Sequence, residues 1–293
     1  MTLNSYLDSP KKCEINMKYP CIVIILILSQ ITHAQKLVKV WETDAILSGP
    51  ESVAYDPVRN VLYASNLRKT EARDTFYGDD FISRVSLTGD VIDLRWIENV
   101  TEPTGISIHN DKLYIVERFG VVIYDLKTDE IERKVRINTQ RFINDIAVDP
   151  TGTVYVSESD TDNIYSINGG VVTIWYAGNA ISRTNGILFD SGKLIVGVNA
   201  DSTLKAIDVK TKTMTTLAQL KKGIIDGIKP IGDDYLVSFF EGNLFRVTKN
   251  GNVTELLNSR GLHNIADFEY IESKNLLVVP ALWQHKIIGY KLE

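Results

Sequence analysis

Residues 144–150 read Asn-Asp-Ile-Ala-Val-Asp-Pro, and after a short turn the chain continues with Val-Tyr-Val-Ser-Glu at 154–158. Two short runs of β-branched and aromatic residues on either side of Pro-Thr-Gly predict a pair of antiparallel strands. The same phrase returns along the chain, and its copies begin at Glu51, Thr104, Asn144, Asn185, Asp226 and Asp267. The steps between them are 53, 40, 41, 41 and 41 residues. A near-constant step of this length predicts six structural repeats, each of about one propeller blade.

The repeat pattern predicts an all-β fold, a six-bladed β-propeller that occupies residues 35–293. Leu37–Trp41 read as an extra strand ahead of the first repeat. We expect this strand to pair with the last blade, formed by residues 267–293, because a closed ring leaves no open sheet edge. A β-sandwich is the alternative all-β class, and the regular step argues against it.

Residues 1–34 have the organisation of a signal peptide. Lys18 precedes the apolar run Cys21–Leu28, which is followed by the small-residue site Thr32-His33-Ala34. We predict cleavage after this site, with Met17 as an alternative start, and therefore an exported protein, either periplasmic or secreted. The run is short for a bilayer span, so we expect no stable membrane span after cleavage. An uncleaved membrane anchor is the alternative.

The composition limits the partners of the mature chain. The formal net charge is −5, and the lysines and arginines are scattered, which argues against a nucleic-acid partner. Both cysteines, Cys13 and Cys21, precede the predicted cleavage site, so the mature chain has no thiol for a disulfide or a thiolate metal site. We expect a monomer whose partner is a small-molecule substrate.

The first residues of the six repeats are polar, and a propeller brings them together. The innermost strand of each blade runs along the central axis, so these residues meet at one mouth of the channel. They are three carboxylates, two amides and a hydroxyl: Glu51, Asp226, Asp267, Asn144, Asn185 and Thr104.

Crowded carboxylates repel one another and lose hydration, and a divalent cation relieves both problems. We therefore predict that the mouth binds one divalent metal ion. Ca²⁺ is the preferred candidate, and Zn²⁺, Mn²⁺ and Mg²⁺ are alternatives. The alternative is that Asn-Gly and Asp-Gly are ordinary turn pairs that cap loops.

Four stretches resemble the gluconolactonase and regucalcin-like propellers, the senescence marker protein family. They are Gly49–Ser52, Arg141–Asp145 with the following Val148–Gly152, Thr184–Gly186 and Ile225–Gly227. The resemblance covers essentially the whole mature region. It implies a metal held by Glu51, Asn185 and Asp226. Asn144 and Asp267 are further candidate ligands because they open their repeats at the same mouth.

The resemblance also implies an activity, hydrolysis of a lactone or related ester. Asn144 would contact the metal's water or the substrate, Arg141 would orient the substrate, and Asp226 would double as general base. His263, four residues before Asp267, is a further candidate for substrate contact. An additional residue, Ile143, separates Arg141-Phe142 from Asn144 and departs from the family pattern. A non-catalytic propeller that binds a ligand or protein around a structural calcium ion is the alternative.

The turns between the second and third strands of each blade return to the same mouth and are predicted to form its rim. They include Glu117–Phe119, Ser159–Asp162, Asn199–Asp201, Phe240-Glu241 and Trp283–His285. The corresponding loop of the first blade, Arg68–Asp80, is about a dozen residues longer than the others, which explains the step of 53 residues. Because it carries Phe76 and Tyr77, it is a candidate lid over the mouth. The alternative is a mobile surface loop without a role at the site.

Overall fold

The computed structural model describes residues 36–67, 80–139, 142–160 and 162–293. The described residues form six four-stranded antiparallel sheets in a ring, which confirms the six-bladed β-propeller. The predicted leader, the Arg68–Asp80 loop up to residue 79 and the candidate site residue Arg141 lie outside the described residues. In the described part of the chain, no helix is long and apolar enough to cross a membrane.

The strands follow the chain from the axis outward in blades one to five, and in blade six the N-terminal strand is added at the outside. Blade one consists of Pro50–Asp56, Val61–Asn66, Asp80–Val85 and Val91–Val100. Blade two consists of Ile106–His109, Lys112–Glu117, Gly120–Asp125 and Glu130–Arg136. Blade three consists of Ile143–Val148, Val154–Glu158, Asn163–Asn168 and Val171–Ala177. Blade four consists of Thr184–Asp190, Lys193–Val198, Thr203–Asp208 and Met214–Gln219. Blade five consists of Ile225–Ile231, Asp234–Phe239, Asn243–Val247 and Val253–Asn258. Blade six consists of Glu269–Ile271, Leu276–Ala281, Lys286–Leu292 and, outermost, Leu37–Glu42. Short 3₁₀ helices span Asn179–Ile181, Glu272–Lys274 and Leu282–Gln284.

The core lies between neighbouring blades. The second strand of blade three, Val154–Glu158, is buried along its whole length, whereas the outer strand of blade two, Glu130–Arg136, is mostly exposed. One apolar cluster joins Tyr63 of blade one to Leu113 and Ile115 of blade two. Since both faces of a blade pack against a neighbour, the inner strands are buried along most of their length, polar residues included, and the outermost strands are the ones exposed to solvent.

The N-terminal strand closes the ring, as the sequence predicts. Leu37–Glu42 pairs antiparallel with Lys286–Leu292. Trp41 lies against two glycines: a Cβ atom built on Gly289 would be 2.2 Å from Trp41 Cε2, and one built on Gly89 would be 2.7 Å from Trp41 Cε3. The indole therefore fills space that any larger residue at these glycines would occupy.

Trp41→Ala should lower the free energy of unfolding by about 3 kcal/mol, the usual cost of removing a packed tryptophan. Lys39→Ala in the same strand is the matched control, because its ammonium makes only an exposed ion pair with Glu42 and should change stability by less than about 1 kcal/mol. Urea unfolding of the two variants beside the parent protein measures the difference. Equal midpoints for both variants would mean that the strand does not need the indole to close the ring.

Candidate functional site

Four inner strands begin with the same irregularity at the same end of the channel. In each, three steps along the inner strand match two steps along its neighbour, which is a β-bulge. The register shifts lie between Pro50 and Val53, Ile143 and Ile146, Thr184 and Ile187, and Ile225 and Ile228. A bulge bends the strand and re-aims a side chain. The first residues inside the bulges are Glu51, Asn144, Asn185 and Asp226.

The bulge in blade three explains the departure from the family pattern at Ile143. Ile143 pairs with Glu158 as Thr184 pairs with Val198 and Ile225 with Phe239. It is also fully buried, with 1% of its surface exposed. Ile143 is thus the last paired residue before the bulge, equivalent to Thr184 and Ile225. The additional residue in the sequence pattern therefore leaves Asn144 at the same position of its bulge as Asn185 and Asp226.

Serine side chains of the second strands secure three of the bulges. Each hydroxyl accepts a hydrogen bond from the N–H of the second residue in the bulge, which has lost its ladder partner. The pairs are Ser65 with Ser52 at 2.9 Å, Ser157 with Asp145 at 3.0 Å and Ser238 with Gly227 at 2.7 Å. Three of the four bulges are therefore held in place by a serine from the second strand of their own blade.

The glycines of the Asn-Gly and Asp-Gly pairs are not turn residues. Gly186 and Gly227 lie in inner strands and have no positive φ. A Cβ atom on Gly186 would be 2.2 Å from the carbonyl oxygen of Asp226, and one on Gly227 would be 2.6 Å from Asp267 Oδ1. Glycine is needed because the next inner strand approaches closely. The interpretation of these pairs as loop caps is therefore wrong.

The bulge residues open into one cavity of about 340 Å³, within the size range of small-molecule sites. Its lining brings together four of the predicted site residues and residues from the surrounding turns. The lining residues are Glu51, Leu67, Phe142, Asn144, Ser159, Asp160, Arg183, Asn185, Asn199, Ile224, Asp226, Phe240 and Leu282. The predicted rim turns supply Ser159, Asp160, Asn199 and Phe240, as expected from the path of the chain.

Asn185 carries the clearest sign of a missing partner. Its Nδ2 donates a hydrogen bond to Asp226 Oδ1 at 2.8 Å, which fixes the orientation of the amide. Its Oδ1 is buried and has no hydrogen-bond donor among the described residues. A buried acceptor without a partner costs about 1–3 kcal/mol, and a cation at the mouth would satisfy it.

The side-chain amide of Asn144 also makes no hydrogen bond within the described residues. The residue is 7% exposed. Its backbone carbonyl is held by Thr104, whose Oγ1 donates to it at 2.7 Å. Thr104 thus supports the mouth from beneath and does not line it.

The donor set fits a hard divalent cation, since the four side chains offer only carboxylate and amide oxygens. Within the described residues, no group of three or more histidine, cysteine, aspartate or glutamate side chains is placed to hold a metal ion. A cation at this mouth would therefore need amide oxygens as well as the carboxylates of Glu51 and Asp226.

The structure does not bring Asp267 into the cavity, which corrects the expectation that it is a further ligand. Its Oδ2 accepts a hydrogen bond from Ser52 Oγ at 2.6 Å, and its Oδ1 lies 3.2 Å from Lys229 Nζ. Its backbone also pairs with blade one, where its N–H donates to the carbonyl of Glu51 at 3.0 Å. These partners hold the carboxylate inside the channel, away from the mouth.

A buried charge cluster surrounds Lys229 in the channel. Burial opposes its charge, but Asp267, Glu269 and Asp145 outweigh that effect and hold the pKa of Lys229 above its ordinary value. Burial, together with the nearby Asp267, raises the pKa of Asp145 well above its ordinary value. Burial also raises the pKa of Glu269. The lysine therefore supplies the positive charge that stabilises these buried carboxyl groups.

His263 does not line the cavity, so the expectation that it reaches the substrate is not met. Its Nε2 lies 2.8 Å from the hydroxyl of Tyr290, and its Nδ1 lies 3.0 Å from the carbonyl oxygen of Asn264. Both ring nitrogens are thus engaged within blade six.

Several lining residues carry no signal in the repeat pattern. Arg183 precedes Asn185 by two residues and has a positive φ of 59°. Its exposed side chain makes no hydrogen bond or ion pair within the described residues. The sequence predicts Asn199 on the rim, but only the fold shows what its amide bonds. Its Oδ1 accepts the N–H of Ile225 at 2.7 Å and so positions the strand that begins beside Asp226.

Comparison with solved structures places the fold among known propellers. A gluconolactonase from Xanthomonas campestris is similar over 88% of this chain and 89% of its own, with 13% sequence identity and a TM-score of 0.69. An inactive histidine-to-alanine variant of virginiamycin B lyase from Staphylococcus aureus, solved with quinupristin, is similar over 88% of this chain and 100% of its own, with 14% identity and a TM-score of 0.62. An auxiliary nutrient binding protein from Bacteroides ovatus covers 84% of this chain and 70% of its own, with 12% identity and a TM-score of 0.64. No protein-family model matches the chain, and no curated protein does so either.

Proposed function

We propose that this propeller is a hydrolase of a lactone or related ester that depends on one divalent metal ion. The observation that carries the proposal is the convergence of Glu51, Asn144, Asn185 and Asp226 in one cavity, where Asn185 Oδ1 is buried and has no hydrogen-bond donor among the residues that the structure describes. The likeness of the fold to a gluconolactonase supports the same activity class. Calcium is the first candidate ion, and export and a monomeric state remain predictions from the sequence.

The residues of the site have two roles, holding the cation and reacting with the substrate, and Asp226 has both. The cation would be held by Glu51, Asn185 and Asp226. A bound cation would polarise the carbonyl group of the substrate. The Asn144 amide lies at the same floor and can donate a hydrogen bond to the substrate or to the attacking water. Asp226 accepts a proton from that water, and its Oδ1 is kept in place by the Asn185 amide.

The metal should stabilise the folded protein measurably. A ligand at about 100 times its Kd adds about 2.7 kcal/mol to the free energy of unfolding. Asn185→Leu removes both the free oxygen and the hydrogen bond to Asp226, so this variant should lose most of that gain. Thermal melts with chelator, Ca²⁺, Mg²⁺, Mn²⁺ or Zn²⁺ measure the effect.

The control for this experiment is Asn168→Leu, which changes an exposed asparagine at the far end of a strand in blade three. It should retain the full metal-dependent stabilisation. If Asn185→Leu and Asn168→Leu respond equally to every ion, the assignment of the cation to this mouth is wrong.

The activity itself is tested with a panel of lactones and esters, each assayed with the four ions and with chelator. Turnover that disappears with chelator and returns with one ion supports the proposal. Absence of turnover under every condition refutes it.

One observation favours a second candidate, a ligand-binding propeller with a structural ion. No histidine lies among the described lining residues, so the cavity holds no side chain whose ordinary pKa lies near neutrality. Metal-dependent ligand binding without turnover would identify this second function.

A further inference from the structure

We propose that the substrate has an apolar hydrocarbon body and presents its carbonyl group as the main polar head. This inference rests on the proposed function and names its substrate class. A polyhydroxylated sugar lactone is the contrasting substrate class, and we expect this cavity to disfavour it. The argument comes from how polar and apolar side chains divide the cavity.

The polar side chains of the cavity lie at its floor, formed by the bulge residues Glu51, Asn144, Asn185 and Asp226, and on its rim, and several of them are committed within the protein. The Asn185 Nδ2 donates to Asp226, and both ends of the Asn199 amide bond the backbone of Ile225, at 2.7 and 3.4 Å. Above the floor, Asp160 Oδ2 accepts the N–H of Phe142 at 3.3 Å. Beyond the floor, the polar side chains that no described residue engages are the Ser159 hydroxyl and the Arg183 guanidinium.

The apolar walls of the cavity come from turns of several blades, some of which also supply the polar rim residues Ser159, Asp160 and Asn199. They consist of Leu67, Phe142, Ile224, Phe240 and Leu282. Phe142 and Ile224 are 37% and 41% exposed, so large apolar side chains face the open part of the cavity. Trp283, itself 51% exposed, extends this surface, since its ring packs edge-on against Phe240 at 6.3 Å between centroids.

Such walls favour a hydrocarbon and disfavour a polyol. Each hydroxyl of a sugar lactone must exchange water for a protein partner, and apolar walls offer none. Each methylene that leaves water for an apolar wall gains affinity instead, by about fourfold. The polar floor and apolar walls therefore orient an ester or lactone with its carbonyl down and its hydrocarbon toward the rim.

A homologous series of γ-lactones, with side chains from methyl to octyl, tests the inference beside glucono-δ-lactone. We expect kcat/KM to rise about fourfold per methylene until the cavity is filled. Ile224→Ser should flatten this slope. Ile174→Ser is the matched control, because Ile174 is an exposed isoleucine on the outer strand of blade three and should leave the slope unchanged.

Calorimetric binding of non-hydrolysable probes separates this inference from the proposed activity. We expect 2-alkylcyclopentanones to bind in the presence of Ca²⁺ with affinity that rises with chain length, and glucono-δ-lactam to bind more weakly than all of them. Tighter binding of the lactam, or a flat alkyl series, overturns the inference even if lactones are hydrolysed. A rising alkyl series without turnover supports the apolar site and refutes only the hydrolase.

Discussion

Replacing Asp226 with asparagine should lower kcat by at least about 100-fold while the protein remains folded. Asparagine has nearly the same shape, but it cannot accept a proton from water, and positioned bases contribute about 10²–10⁴-fold. The substitution also removes a negative charge from the proposed cation site. The hydrogen bond from Asn185 Nδ2 to position 226 can persist, because an amide oxygen accepts it as a carboxylate oxygen does.

The measurement must separate loss of metal from loss of the base. Activity is therefore assayed across a metal titration up to saturation, and the melting temperature is recorded at each point. Asp233→Asn is the control, since this aspartate is exposed and its ion pair among the described residues is with Lys249, so the change should leave kcat unaltered. If Asp226→Asn keeps more than about a tenth of the parent activity at saturating metal, Asp226 does not act as the base.

Gly186→Ala should be among the most destabilising single-methyl additions available in this protein. The new Cβ would stand 2.2 Å from the carbonyl oxygen of Asp226 and 3.1 Å from its carbonyl carbon. Those atoms belong to the backbone of the next inner strand, which cannot move without shifting blade five. Overpacking a rigid site costs about 1–3 kcal/mol and sometimes more, and we expect about 3 kcal/mol here. Because the displaced strand carries Asp226, metal affinity should fall as well.

Gly192→Ala in the same blade is the control for backbone strain. Gly192 has a φ of +80° and no atom within 4 Å of a built Cβ, so alanine there should cost only the left-handed conformation, about 1–2 kcal/mol. Urea unfolding gives both values, and a metal titration gives the affinities. Equal destabilisation by the two variants, with metal affinity retained in both, would show that the blades tolerate a side chain at this contact.

The repeat alone predicts much of the site because equivalent positions in equivalent blades take equivalent places around an axis. Glu51, Asn144, Asn185 and Asp226 reach one cavity since each opens its phrase and each lies in the same bulge. The same reasoning places Ser159, Asn199 and Phe240 on the rim. Local pattern suffices here, because backbone geometry sets the height and angle of each residue in the ring.

Repeat position does not decide where a side chain points when another blade supplies its partner. Asp267 opens its phrase like the others, yet Ser52 and Lys229, 215 and 38 residues away in sequence, draw its carboxylate inside the channel. Tyr290, 27 residues from His263, engages that imidazole in the same way. A pattern read along the chain cannot contain these contacts, since each depends on how two blades or distant strands pack.

The sequence by itself thus determined the six-bladed ring, its closing strand and the mouth at which the polar residues meet. Periodicity carries these features, because a hydrophobic repeat with a constant step can bury its faces only by stacking against copies of itself. The tertiary structure alone decided that the glycines serve close strand contacts, that Asp267 and His263 turn away from the cavity, and that Arg183 lines it. It also decided that the walls are apolar, since residues that are far apart in sequence and alternate with polar neighbours form one surface only after the blades have packed.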